Sequence, residues 1–378
     1  MSSVPFSRRS LFSLLLVAGC GRKRANRYSG WMFVSSAAER GIAVADLSDF
    51  RRMAMIRVNA RPGALLRTSE GVMAVCLEPS SAVLIDPARM TVTARLTLSA
   101  KPVTAVVTGD RHTVAILATE PDCVLFVDGR ATRVIGRVPL PGRGDAMDIW
   151  SGYAAVSMPQ RRSILRISVE ERRAIGETAR DAFGSPLRFR GDGKALLAGD
   201  AGARQVLSID WETGRLAARL PVSIEPRRFC FDDGGGQMFV TGPGGDVVAI
   251  VAPYQYEVYE TIPAGRKPGA MAVSTTPNQN LLLVANTEAG DVTILDIDSR
   301  QLAASVHVGD TPGELLTTPD GEYALAVGGA SGAIAVIRLT TVLNQGENAL
   351  TARGIKPLFT VFPMTAAPES AIIVPYKA

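Results

Sequence analysis

The chain has 378 residues, of which 47% are hydrophobic, 20% charged and 6% aromatic, and it carries 36 Gly and 23 Pro. That much apolar material excludes a disordered chain, and many turn formers with few charges suit short buried strands better than amphipathic helices. The net charge of +5 is small for this length and owes much to the N-terminus; with no basic stripe interleaved with stacking aromatics, no nucleic-acid partner is expected.

Residues 1–19 read as a targeting segment outside the folded unit. Arg8 and Arg9 give it a positive start, and Leu11 to Gly19 is an apolar run of nine residues. A bilayer needs about 20 helical residues to cross, so this run does not span one. It ends in Ala18-Gly19-Cys20, where small side chains let a peptidase reach the backbone. Leu16-Val17-Ala18-Gly19-Cys20 resembles a bacterial lipobox, although Val17 stands where that pattern more often has Leu. The resemblance implies that Cys20 is lipidated and becomes the mature N-terminus. Ser7-Arg8-Arg9-Ser10-Leu11-Phe12 resembles a twin-arginine export motif. Each buried methylene contributes about 0.8 kcal/mol, so several acyl chains together make anchoring effectively permanent. Arg22, Lys23 and Arg24 would then meet anionic headgroups, and residues 20–29 would serve as a short polar tether. Gly21 occupies the place where the lipoprotein rule has Asp for inner-membrane retention. By that rule the periplasmic side of the outer membrane is the expected address.

The remainder, residues 30–378, repeats. Segments opening on a Pro-like anchor and continuing as an apolar strand begin at Pro62, Pro102, Gly144, Pro186, Pro226, Pro268, Pro312 and Pro368, at intervals of 40, 42, 42, 40, 42, 44 and 56 residues. A period of about 40 to 45 with four short strands per unit is the signature of a β-propeller. In the clearest copy the strands run Ala270 to Val273, Leu281 to Ala285, Val292 to Asp296 and Leu302 to Val308. Runs such as Leu281-Leu282-Leu283-Val284 suit strands covered on both faces by neighbouring blades. The predicted fold is therefore all-β, one propeller of four-stranded blades. Three strands near Met32 to Ser35, Ile42 to Leu47 and Met53 to Val58 lack a first strand, and Ala371 to Val374 is a first strand without a blade. Pairing them closes the ring and leaves no sheet edge free. The count is eight blades, with seven as the alternative if the Gly144 copy, which lacks Pro, is not a true repeat.

Leu283-Val284-Ala285-Asn286-Thr287, then Asp291 to Asp296, then Val308-Gly309-Asp310-Thr311-Pro312 resemble the YVTN-type β-propeller repeat. Thr318-Pro319-Asp320-Gly321 resembles its Ser-Pro-Asp-Gly turn. Only these last two copies are close; the others keep the anchor and the strand rhythm. A tryptophan–aspartate repeat is not indicated, since the chain has no Gly-His dipeptide and only two His.

No catalytic constellation emerges, and neither a metal nor a cofactor is expected. Cys76, Cys123 and Cys230 fall on strands of different units without metal-ligand spacing, which fits packed thiols, with a Cys76–Cys123 bridge between neighbouring blades left open. His112, in a turn, and His307, on an outer strand, are isolated. Asp232-Asp233-Gly234-Gly235-Gly236 reads as a β-turn rather than a cation loop. Pro253 to Tyr259 reads as an aromatic outer strand, and residues 340–354 as the longest insertion, where a partner would find a loop to bind.

The residues just before the anchors should crowd the mouth of the central channel. They include Arg61, Lys101, Arg143 and Lys267 against a single acidic residue, Glu225. An electropositive rim would receive an anionic ligand or partner; the plainer reading is solvated loop charge. The leading functional expectation is a lipid-anchored envelope module that binds or scaffolds a protein or a small ligand. One alternative is an outer-membrane protein assembly factor, whose repeat Asp210-Trp211-Glu212-Thr213-Gly214 faintly resembles. The other is a propeller enzyme or redox protein, such as a lactonase or a quinone- or haem-dependent dehydrogenase.

Overall fold

The computed structural model describes residues 28–178, 181–276, 279–309, 311–329, 331–343 and 356–376. Arg8, Arg9, Cys20 and most of the 340–354 insertion lie outside them.

Eight four-stranded antiparallel sheets make up the structure. Numbered in chain order, blade 1 joins the N-terminal strands Gly30–Ser36, Gly41–Asp46 and Arg51–Arg57 to the last strand, Pro368–Pro375. Blades 2 to 8 each run inward to outward, and their inner strands are Arg61–Arg67, Lys101–Val107, Ala146–Trp150, Leu187–Phe189, Arg228–Phe231, Pro268–Thr276 and Pro312–Thr317. The Gly144 copy is thus a complete blade, and the ring has eight. Closure uses the expected strands, with Trp31 opposite Val374 and Val34 opposite Ala371. Ser35 reinforces it by accepting the Ser370 N–H at 2.9 Å and donating to the Ser370 carbonyl at 3.2 Å.

Burial explains why each strand has its composition. Second and third strands, such as Thr113–Thr119 and Cys123–Asp128, are buried almost throughout, because neighbouring blades cover both of their faces. Outermost strands such as Thr91–Thr97 are largely exposed and carry Thr and Arg instead. Apolar residues form eight clusters, each shared by two adjacent blades; Met32 and Val34 of blade 1 pack with Leu325 and Val336 of blade 8 in one of them. No blade buries its apolar face alone, so the ring stands or falls together.

The anchors have a mechanical role. In blades 2, 3, 7 and 8 the ladder slips register just past Pro62, Pro102, Pro268 and Pro312. Proline has no N–H to give to a ladder, so a bulge forms there and turns the next side chains. In blades 5 and 6 the ladder starts past the anchor, at Leu187 and Arg228, and runs without a shift.

Candidate functional site

The residue two places after the anchor lines the channel in six of the eight blades, the exceptions being Ala64 and Ser370. In chain order this position holds Ala64, Thr104, Ala146, Arg188, Arg228, Ala270, Glu314 and Ser370. Thr104, Ala146, Arg188 and Arg228 line a cavity of about 500 Å³ between the inner strands of blades 2 to 6. Arg228, Ala270 and Glu314 line a smaller one of about 210 Å³ between blades 6, 7, 8 and 1. Arg228 belongs to both and marks where they meet.

The larger cavity is asymmetric. Arg188, Arg227 and Arg228 form its wall on blades 5 and 6, whereas Leu66, Ala105, Val106 and Val107 form the wall on blades 2 and 3. Met147 on blade 4, Leu187 on blade 5 and Phe229 on blade 6 add further apolar surface. Arg188 is held by Asp148 of blade 4, whose Oδ1 lies 3.4 Å from Nη1 and whose Oδ2 accepts the Phe189 N–H at 2.8 Å. Asp148 is buried, and desolvation raises its pKa while Arg188 and the backbone N–H groups pull it back. Arg227 has only a long contact of 3.7 Å to Glu225. Arg228 is exposed to the cavity, and its guanidinium has no hydrogen bond or ion pair among the described residues. Asp145, also on the lining, is open to the hollow yet surrounded by protein on most sides, and that desolvation raises its pKa.

In the smaller cavity Glu314 is half-buried, and desolvation pushes its pKa up to about 7 against the opposing pull of a backbone hydrogen bond from Ala371 and the charge of Arg228. The other carboxylate there, Glu369, is paired with Arg61 at 2.5 Å.

The four rim cations stand outside both linings. Arg61 is committed to Glu369, and Lys101 pairs with Glu120, both ends of that pair being well exposed. Arg143 is exposed, with no ion pair among the described residues. Lys267 has φ +58°, and its N–H donates to Asp246 Oδ1 at 2.9 Å, so its main chain holds the turn into blade 7. The cations that reach the axis lie two to three residues further along the chain, after the anchor instead of before it.

Other sequence candidates settle into structural places. Cys76 and Cys123 are free, buried and in different clusters, so no bridge joins them; Cys230 is only half-buried, on the inner strand of blade 6. His112 lies in a turn and meets the Ser69 hydroxyl at 2.8 Å, while His307 ends an outer strand. Asp232 caps its own turn by accepting the Gln237 N–H at 2.9 Å. The aromatic segment differs from expectation: the outer strand begins only at Glu257, and Tyr254 and Tyr256 sit in the preceding turn, pinned by the buried Arg190 guanidinium. Among the described residues no group of three or more His, Cys, Asp or Glu is placed to hold a metal ion, and no helix is long and apolar enough to cross a membrane.

No family model and no curated protein sequence matches the chain. Its likeness is to solved structures. Dihydro-heme d1 dehydrogenase NirN in complex with DHE superposes with a TM-score of 0.74 at 15% identity, over 93% of this chain and 76% of that one. Apo AztD from Citrobacter koseri gives 0.66 at 16%, over 92% and 98% of the two chains. Kuenenia stuttgartiensis hydrazine synthase gives 0.51 at 17%, over 71% and 88%. At such identities the likeness is one of fold alone.

Proposed function

We propose that this chain is a lipid-anchored β-propeller of the YVTN type on the periplasmic side of the outer membrane, and that it binds a small molecule in its axial cavity. The observation that carries the binding role is the cavity of about 500 Å³, walled by the inner strands of five blades. That volume falls in the range of small-molecule sites, and a few polar groups among apolar neighbours are what such sites use to orient a ligand. The eight shared cores make the walls rigid, so a ligand meets a preformed surface and spends little free energy ordering it. The address rests on Arg8, Arg9 and the Ala18-Gly19-Cys20 ending.

The test uses the full chain extracted in detergent from its own membranes. Native mass spectrometry should record a bound small molecule, and Met147→Trp, which fills the cavity, should remove it. A bare wild-type protein, or a variant that keeps its ligand, would overturn the binding role. Cys20→Ser should move the protein from the membrane fraction to the soluble one; unchanged partitioning would overturn the anchor.

A further inference from the structure

We infer that the axial cavity takes an organic anion of a particular build: one carboxylate or phosphate-ester head against Arg228, and an apolar body laid across the channel on blades 2 and 3. This rests on the reading that a ligand occupies the cavity, and it adds the ligand's chemistry and orientation.

Three features of the cavity converge on it. The first is the segregation of the lining. All three cations, Arg188, Arg227 and Arg228, come from two adjacent blades, whereas blades 2 and 3 contribute only apolar residues and Thr104, and the one lining carboxylate, Asp145, stands on blade 4. A ligand charged throughout would leave the apolar wall uncovered, and a wholly apolar one would strip water from guanidinium groups without replacing it.

The second is the state of each arginine. Asp148 fixes Arg188 in place and offsets its charge. Arg228 has no such partner among the described residues, although it points into a hollow enclosed by protein. A guanidinium offers donors in a rigid fork that matches an oxyanion, and a charge-assisted pair of that kind is stronger than a neutral hydrogen bond. The third is what stands on the far side of Arg228. Of the two carboxylates lining the smaller cavity, Glu369 is taken by Arg61, and Glu314 feels the charge of Arg228 without forming an ion pair with it. No carboxylate among the described residues therefore occupies the Arg228 guanidinium.

The ligand is unidentified, so defined probes test the class by titration calorimetry on the detergent-solubilised full chain. The probes are 4-phenylbutyrate, phenyl phosphate, the neutral 4-phenylbutyramide, and acetate. One of the two aromatic anions should bind, and the tighter of them names the head group. The amide and acetate should each bind at least about tenfold more weakly, one for want of charge and the other for want of a body. Arg228→Gln should abolish the preference for anion over amide, Arg228→Lys should restore part of it, and Arg51→Gln, on an outer strand, should leave it intact. Thermal melts of each variant establish that it is folded. Equal affinity for acid and amide, or a preference that survives in Arg228→Gln, would overturn the inference while leaving a cavity ligand in place. If Met147→Trp leaves every probe's affinity unchanged, the cavity is not where they bind, and the broader reading falls with it.

Discussion

The two cavities along the axis are built from the same backbone position repeated around one ring, and they differ in almost every chemical respect. On blades 5 and 6 that position holds Arg188 and Arg228, while on blades 7, 8 and 1 it holds Ala270, Glu314 and Ser370. One region gathers cations, with Arg188 steadied by Asp148. The other pushes its single unpaired carboxylate toward the neutral form. A propeller packs its blades through the second and third strands, so the inner strand is released from core duty at one place per repeat. Composition can change there without loss of the fold, and in this chain it has changed in two directions.

Single changes in the ring should separate the two cavities by effects of decreasing size. The largest effect is expected from ending the chain before Pro368. The described N-terminal strands of blade 1 then lose their inner partner, the ring opens between blades 8 and 1, and a single sharp unfolding transition should give way to a broad one or to aggregation, followed by circular dichroism. Asp148→Ala comes next. It strands the buried Phe189 N–H and frees Arg188, and should cost about 3 kcal/mol in chemical denaturation.

Glu314→Gln sharpens the contrast by pH. Its folded pKa lies above that of the unfolded chain, so the stability tied to its neutral form is complete below about 4.5 and is lost as pH rises through about 7. Wild-type protein should therefore lose roughly 2 kcal/mol between pH 5 and 8 relative to the Gln variant, which should show no such difference. Parallel denaturation curves for the two proteins across that window would show that the cavity does not tune this group. The smallest effect belongs to the rim: Arg61→Ala breaks an exposed pair with Glu369 and should change stability by less than about 1 kcal/mol.

Much of the architecture was readable from residues. The anchors, spaced by 40 to 44 residues except for the last interval of 56, the apolar runs such as Leu281 to Ala285, and the orphan strand at Ala371 to Val374 point to eight blades and to their closure. The site was less legible. The residues before the anchors read as rim positions, and of these only Ser185 enters the larger lining; its arginines come from just after the anchors, where the inner strands of blades 5 and 6 begin. Arg188, Arg227 and Arg228 were in plain view in the segments opening at Pro186 and Pro226, and aligning the second position after every anchor would have found two of them. Asp148 offered no such signal: its value lies in meeting Arg188 and the Phe189 N–H across a blade boundary. Likewise Tyr254 and Tyr256 read as strand because aromatic residues favour strands, while Arg190 holds them in a turn.

Periodicity by itself determined the repeat, the strand rhythm and the closed ring, because a four-stranded unit with two apolar faces has to be covered by copies of itself. Which arginine is neutralised, which is left free, and where the carboxylate loses its water were decided only when blades 4, 5, 6 and 8 were brought to a common axis. Charge pairing and desolvation depend on distance through space, and spacing along the chain carries no measure of it.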